Sequence, residues 1–309
     1  MSKREEVRET ASLDVSGYEL AAFEPAQRQD YLRLLKDAWG EAALSGAEFD
    51  WWFSRNPAGS LMSVAQADGQ VIGVASHSLY RVVLGGQERL ATFSVHATTT
   101  PAARGKGVFV GLERKHEDEA EARGAAATLA FASAPTAPLF LGPLGWTSVG
   151  RPRIWARPLP RASFRRGRTA EVERFAFDGD AAAVWPNHIV RDAEYLNWRY
   201  LDSPRDYVAY ARDGGYAVLG HKRHRGQPIA LVADLVGPVR PLVRACLAGV
   251  KPGTRALFAL PGPGEQAAYV SCGFLPTPMT LNFMGKGLAG QLDPDPSHWR
   301  FTLGDTDFF

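Results

Sequence analysis

Three β-rich runs in close succession, residues 61–67, 71–84 and 88–99, constrain this chain more than any other feature. Asp68-Gly69 separates the first pair and Gly85-Gly86 the second. Both dipeptides suit the left-handed backbone of a two-residue hairpin turn, so the spacing predicts an antiparallel meander. The third run leads into Thr98-Thr99-Thr100-Pro101-Ala102-Ala103-Arg104-Gly105-Lys106-Gly107-Val108-Phe109 and then into a predicted helix over about 107–123. Val108, Leu112 and Ala120 mark that helix's apolar side, and Gly124 is placed to stop it. The acidic run Glu117-Asp118-Glu119-Glu121 reads as its solvent face.

Ahead of the meander, residues 17–23 alternate as an opening strand. Residues 25–39 align Tyr31, Leu32, Leu34, Leu35 and Trp39 on one helical face. A short helix carrying Phe49, Trp51, Trp52 and Phe53 ends at Asn56-Pro57, because a residue before proline leaves helical geometry. Behind it come a strand at 127–132, a proline-punctuated segment to Leu144 and a strand from Trp146 to Ala156. Residues 157–170 are rich in proline and arginine and read as a linker.

The pattern then recurs. A strand near 171–177 precedes a helix over 192–200. Strands at 206–212, 215–222 and 228–235 follow, joined by Asp213-Gly214 and Arg225-Gly226, then a helix at 239–249, a strand at 254–260, a short helix at 264–271 and a strand at 274–285. A period of roughly 150 residues is too long for a solenoid and reads as a duplicated domain. The expected class is α/β (α+β), with two tandem domains that each have a mixed, largely antiparallel sheet flanked by helices. The expected divisions are a flexible arm at 1–14, a first domain at 15–160 and a second at 161–309.

Composition narrows the partners. Against 33 acidic side chains stand 35 Lys and Arg, a net charge of +2 that does not suit a nucleic-acid binder. No apolar run is long enough for a membrane helix, and the first residues lack the apolar core of a secretory signal, so a cytoplasmic, membrane-free protein is expected. Cys246 and Cys272 lack CxxC spacing and read as buried thiols, and no Cys/His cluster has zinc spacing. A metal-free monomer or homodimer is expected. The clusters His221-Lys222-Arg223-His224-Arg225 and Phe164-Arg165-Arg166-Gly167-Arg168 read as solvated turn and linker segments.

The chemistry concentrates at the helix entrance. Gly105 and Gly107 let the backbone approach a ligand closely, and the first N–H groups of a helix have no intrahelical acceptor. With Arg104 and Lys106 beside them, they suit phosphate oxygens. Neither GxxxxGK[ST] nor GxGxxG is present. At Arg104, Gly105, Lys106, Gly107 and Val108, with Pro101 upstream, the sequence resembles the GNAT superfamily of acyl-CoA-dependent N-acyltransferases. Phe109 departs from the small residue usual at the end of that pattern. The element order over about 15–157 is similar to the family's as well.

The resemblance implies that the fourth and fifth strands splay apart around the pantetheine arm, with Ala97 and Thr99 offering backbone contacts. It also implies that residues 104–109 bind the CoA pyrophosphate. An acetyl group would pass from acetyl-CoA, or another acyl-CoA, to a primary amine of a small molecule or peptide by direct attack. His96 is the candidate base, since an ordinary imidazole titrates near neutrality; a strand histidine facing away is the alternative. His77 is a second candidate of the same kind. Trp51, Trp52, Arg55 and Asn56, and in the second half Trp198 and Arg199, lie where the family builds its acceptor pocket; core packing is their other reading. The tyrosine acid that many members carry is replaced by Leu141. In the second half Tyr269 fits that tyrosine's position, but Asp234-Leu235-Val236-Gly237-Pro238-Val239-Arg240-Pro241 has no glycine loop. That half reads as a degenerate copy without CoA. A CoA-binding sensor or scaffold, or a Fem-like aminoacyl transferase, would share this fold.

Overall fold

Asp68, Gly69, Gly85 and Gly86 all have positive φ (49°, 73°, 57° and 76°), so both turns reverse the chain within two residues and the strands around them pair along their length. The computed structural model describes residues 17–160, 170–224 and 226–306. The expected arm at 1–14, most of the linker, the Phe164–Arg168 cluster and Arg225 lie outside the described residues.

In chain order the first half contains β1 (Glu19–Ala22), α1 (Arg28–Trp39) and α2 (Gly46–Phe49), which continues as a π-helical turn over Asp50–Ser54. Then come β2 (Ser60–Ala67), β3 (Gln70–Leu84), β4 (Gln87–Thr99), α3 (Val108–Ala122), β5 (Ala127–Ala132), α4 (Ala137–Leu141), β6 (Thr147–Gly150) and β7 (Arg153–Pro158). The second half runs β8 (Asn187–Ile189), α5 (Ala193–Leu196) with a π-helical turn over Asn197–Leu201, β9 (Tyr207–Arg212), β10 (Gly215–His224) and β11 (Gln227–Val236). It closes with α6 (Val239–Gly249), β12 (Ala256–Ala259), α7 (Gln266–Ser271), β13 (Leu275–Thr280), β14 (Asn282–Gly287) and β15 (Trp299–Arg300).

Two mixed, mostly antiparallel sheets result. One is ordered β1-β2-β3-β4-β5-β14-β6, with β8 and β15 added beside β3; the other is β13-β7-β12-β11-β10-β9. The halves therefore exchange strands. β14, from the C-terminal half, lies between β5 and β6, pairing Phe283 with Phe131 and Gly150. β7, from the N-terminal half, lies between β12 and β13, pairing Ala156 with Phe258 and Leu275. Two expected single strands, 146–156 and 274–285, are thus each divided, at Arg151-Pro152 and at Leu281, between the two sheets. Proline lacks a ladder donor, which accounts for the first break. A cut at residue 160 leaves each sheet short of an internal strand.

The expected strand at 171–177 is reduced to one bridge, Glu171 with Tyr210. Glu117 is also not on a solvent face: its side chain is buried, accepting from Trp146 Nε1 (2.6 Å) and Lys286 Nζ (2.5 Å). Cys246 and Cys272 are free and buried, and burial pushes the Cys246 thiol up to about 12.

Candidate active site

β4 and β5 run parallel only from Ala91/Ala127 to Phe93/Leu129 and then diverge. Just beyond, β4 bulges: Val74 pairs with Thr98 and Ser76 with Val95, so His96 and Ala97 together face Ala75 of β3. His96 takes the left-handed conformation (φ 49°), as the first residue of such a bulge can. The bulge turns the strand away from its neighbour and opens a V at the sheet centre.

The far end of β4 leads through a 3₁₀ turn at Pro101–Ala103 to Gly105 (φ 74°) and Gly107 (φ 81°), the residue that caps α3. Both glycines need the left-handed region, and no other atom occupies the space beside Gly105. Arg104 and Lys106 are exposed here, and a fifteen-residue helix directs its unpaired N–H groups outward. Phe109 leaves this loop and packs edge-to-face on Phe140 of α4 (5.5 Å), so its side chain does not obstruct its own N–H.

The V opens into a cleft of about 880 Å³ between the halves. From the first half it is lined by Trp39, Glu41, Glu48, Ser94, His96, Ala97, Phe109 and Phe140, among others. From the second come Arg205, Asp206, Tyr207 and the hairpin strand from Gly220 to His224. The hairpin residues His221, Lys222, Arg223 and His224, expected as a solvated turn, thus form a cleft wall. Sequence alone does not place this hairpin against the opposite half.

Ala97 lines the cleft, whereas Thr99 lies past the bulge, with its methyl group beside Gly73 of β3. His96 lines the cleft with its ring edge-on to Trp52 (5.1 Å), Trp39 and Phe53. Burial, reinforced by the Arg205 guanidinium, pushes its pKa down to about 3, and Nε2 has no partner. The ring is neutral at ordinary pH and a much poorer base than an exposed imidazole.

The expected acceptor-pocket residues lie elsewhere. Trp51 and Trp198 are buried at the seam between halves and bond reciprocally: Trp51 Nε1 donates to the Trp198 carbonyl (2.7 Å) and Trp198 Nε1 to that of Trp51 (3.1 Å). Trp52 donates to Ser78 Oγ (2.7 Å). Arg199 is buried over the Trp52 ring (4.4 Å) and donates to the Gly304 carbonyl. None of these four lines the cleft. Aromatic rings this large are held in the seam because it removes most of their surface from water. Asn56 bonds to the Leu79 carbonyl and the Ala58 N–H as a turn residue, and Arg55 is exposed beside it.

A polar chain that sequence reading did not assemble runs from the cleft into the sheet. Ser94 Oγ donates to Glu113 Oε1 of α3 (3.0 Å), Glu113 Oε2 lies 2.9 Å from His77 Nε2, and His77 Nδ1 lies 3.0 Å from Thr92 Oγ1. His77, expected as a candidate base, is fully buried and faces α3. Leu141 is exposed on α4, and among the described residues no tyrosine of the first half lines the cleft.

The second half keeps the V but fills it. β11 and β12 pair at Ala230/Leu257 and Leu231/Phe258, and β11 bulges at Ala233. Arg300 then wedges between the strand ends, against Gly262, with Nη2 donating to the Leu235 carbonyl (3.0 Å). Pro241 removes an N–H from the first turn of α6. Tyr269 is buried beside Phe274, and burial raises its pKa. Among the described residues no helix is long and apolar enough to cross a membrane, and no three His, Cys, Asp or Glu side chains cluster as metal ligands.

A family model described as an acetyltransferase (GNAT) domain matches residues 20–149. Solved structures share the architecture at low identity. A GCN5-related N-acetyltransferase from Kribbella flavida is 18% identical with a TM-score of 0.59, covering 88% of this chain and 71% of its own. Another, from Anabaena variabilis, is 13% identical with a TM-score of 0.62, covering 88% and 73%. A putative acetyltransferase from Pyrococcus horikoshii is 12% identical with a TM-score of 0.63, covering 94% and 95%. No curated protein matches in sequence.

Proposed function

From the match of residues 20–149 to a GNAT acetyltransferase domain model, we propose that the protein is an acyl-CoA-dependent N-acyltransferase that moves an acetyl group from acetyl-CoA to a primary amine of a small molecule or peptide. The observation that carries this reading is the continuity of three features. The β4–β5 V opens into the cleft between halves, and Phe109, which follows the left-handed Gly105/Gly107 loop, lines that same cleft.

In this reading Arg104, Lys106 and the N–H groups from Gly105 to Phe109 hold the pyrophosphate. The β4 backbone at Ala97, and at Thr99 beyond it, faces the pantetheine arm. Bound acyl-CoA supplies an acyl group activated as a thioester. The chain's own residues exclude water and orient the amine: Trp39 and Phe140 from one side, the Arg205–Tyr207 segment and the hairpin from the other. Clefts of this size between domains enclose small ligands that a single face leaves exposed. The second half supplies a wall and no second cofactor site, because Arg300 and Pro241 occupy and disarm its V.

The test is thiol release from acetyl-CoA over a panel of primary amines. Amine-dependent release with an acetylated product supports the reading. Tight acetyl-CoA binding without any amine turnover favours a CoA sensor and overturns it.

A further inference from the structure

We propose that Ser94 is the group through which the acceptor's proton leaves the cleft, with Glu113 receiving it and His77 positioning Glu113; this rests on the N-acyltransferase reading. Ser94 is the first β4 residue beyond the last pair with β5, so its hydroxyl lies at the apex of the V, where it lines the cleft. Its proton already points inward, to Glu113 Oε1 at 3.0 Å.

The Glu113 side chain is wholly buried, and its partners are Ser94 and His77; among the described residues no lysine or arginine pairs with it. Thr92 Oγ1 donates to Thr128 (3.0 Å) and lies 3.0 Å from His77 Nδ1. His77 Nε2 and Glu113 Oε2 face each other at 2.9 Å, and Oε1 is the oxygen turned to Ser94. His116, edge-on to His77 at 4.6 Å and bonded to Ser63, is kept neutral by burial, as is the Tyr31 hydroxyl on the other face of the sheet.

Packing alone does not call for such a set. A buried ionisable pair contributes little that apolar residues of similar volume would not. Leu112 and Val108 on the same helix provide that apolar contact beside it. The chain has one end in the cleft, as a proton path requires. His96, neutral and a weak base, leaves that task open.

In the step, the amine nitrogen bonds to the thioester carbonyl carbon and loses a proton to Ser94 Oγ, whose own proton passes to Glu113 Oε1. The C–S bond breaks, and the proton returns from Glu113 through Ser94 to the departing thiolate. Amide and free thiol are the products, and the protein ends in its starting protonation state.

The experiment compares wild type, Ser94→Ala, Ser94→Thr and Glu113→Gln. Thiol release is measured with acetyl-CoA and benzylamine, spermidine or glycinamide between pH 5.5 and 9, and acetyl-CoA affinity by calorimetry. Positioned acid–base groups contribute about 10²–10⁴-fold. Ser94→Ala and Glu113→Gln are expected to lower kcat by about 100-fold or more, with acetyl-CoA affinity within about twofold because neither touches the glycine loop. Ser94→Thr, which keeps the hydroxyl, is expected to recover most of the rate. A Ser94→Ala rate within threefold of wild type overturns the relay, as does a folded Glu113→Gln variant whose rate stays within threefold. If Glu113→Gln does not melt cooperatively, Ser94→Ala decides, since it removes one hydroxyl at the cleft. Wild type that binds acetyl-CoA but acylates none of the amines fails at the control, which overturns the N-acyltransferase reading and the relay with it.

Discussion

Cutting the chain between its halves is expected not to separate them. A protease site inserted within 161–169 leaves 17–160 and 170–306 linked only by the exchanged strands and the seam. The first sheet keeps β14, whose Phe283 and Met284 are buried, and beside them Trp299 and Phe301 stack on one another. The second keeps β7 with Ile154 buried, and Trp51 and Trp198 hold their reciprocal bonds. Each such side chain contributes ~1.5–3 kcal/mol on full burial, so the group is worth on the order of 10 kcal/mol. That is comparable with the whole stability of a domain, ~5–15 kcal/mol. The nicked protein should elute from gel filtration as one species and melt in one transition. Residues 17–160 expressed alone should lack a cooperative melt, and adding 170–306 should restore it. Nicked halves that separate in native buffer, with the N-terminal piece still folded, would refute the exchange as a source of stability.

Replacing Trp51 or Trp198 with Phe leaves a buried carbonyl without its donor, at a cost of about 1–3 kcal/mol each. In urea unfolding the double variant should be non-additive by at least ~0.5 kcal/mol, and additivity would mean that the two indoles do not act as a pair. His96 is neutral when folded, with a pKa near 3, but titrates near 6.5 when unfolded, so stability is lost as pH falls from about 6.5 towards 3. His116, also depressed by burial, acts in the same direction. His96→Asn, which tolerates the left-handed backbone, should flatten the decline in urea midpoint between pH 7 and 4; an unchanged decline would show that His96 does not contribute.

Local chemistry was legible where a turn or period determines it. Asp68-Gly69 and Gly85-Gly86 fixed the meander, and α3 and α6 fall where their apolar periods end. Strand partners were not legible. Residues 274–285 have the same pattern whichever sheet receives them, and only the assembled fold divides them at Leu281. The site divides in the same way. Gly105 and Gly107 announce themselves by residue type, but the Ser94–Glu113–His77 chain joins three elements whose spacing has no motif. The His96 bulge has no sequence signature, since alternation along β4 gives no sign of an extra residue. The Trp residues misled because aromatic spacing is the same in a pocket wall and in a seam.

Calorimetric titration of acetyl-CoA into the full chain and into its Gly107→Asp variant tests the cofactor site most directly. The glycine has φ 81° and caps α3, so a carboxylate there would oppose a phosphate. One site per chain is expected, weakened at least about 30-fold, or ~2 kcal/mol, in the variant. Two sites per chain, or unchanged affinity in a folded Gly107→Asp protein, would contradict the assignment.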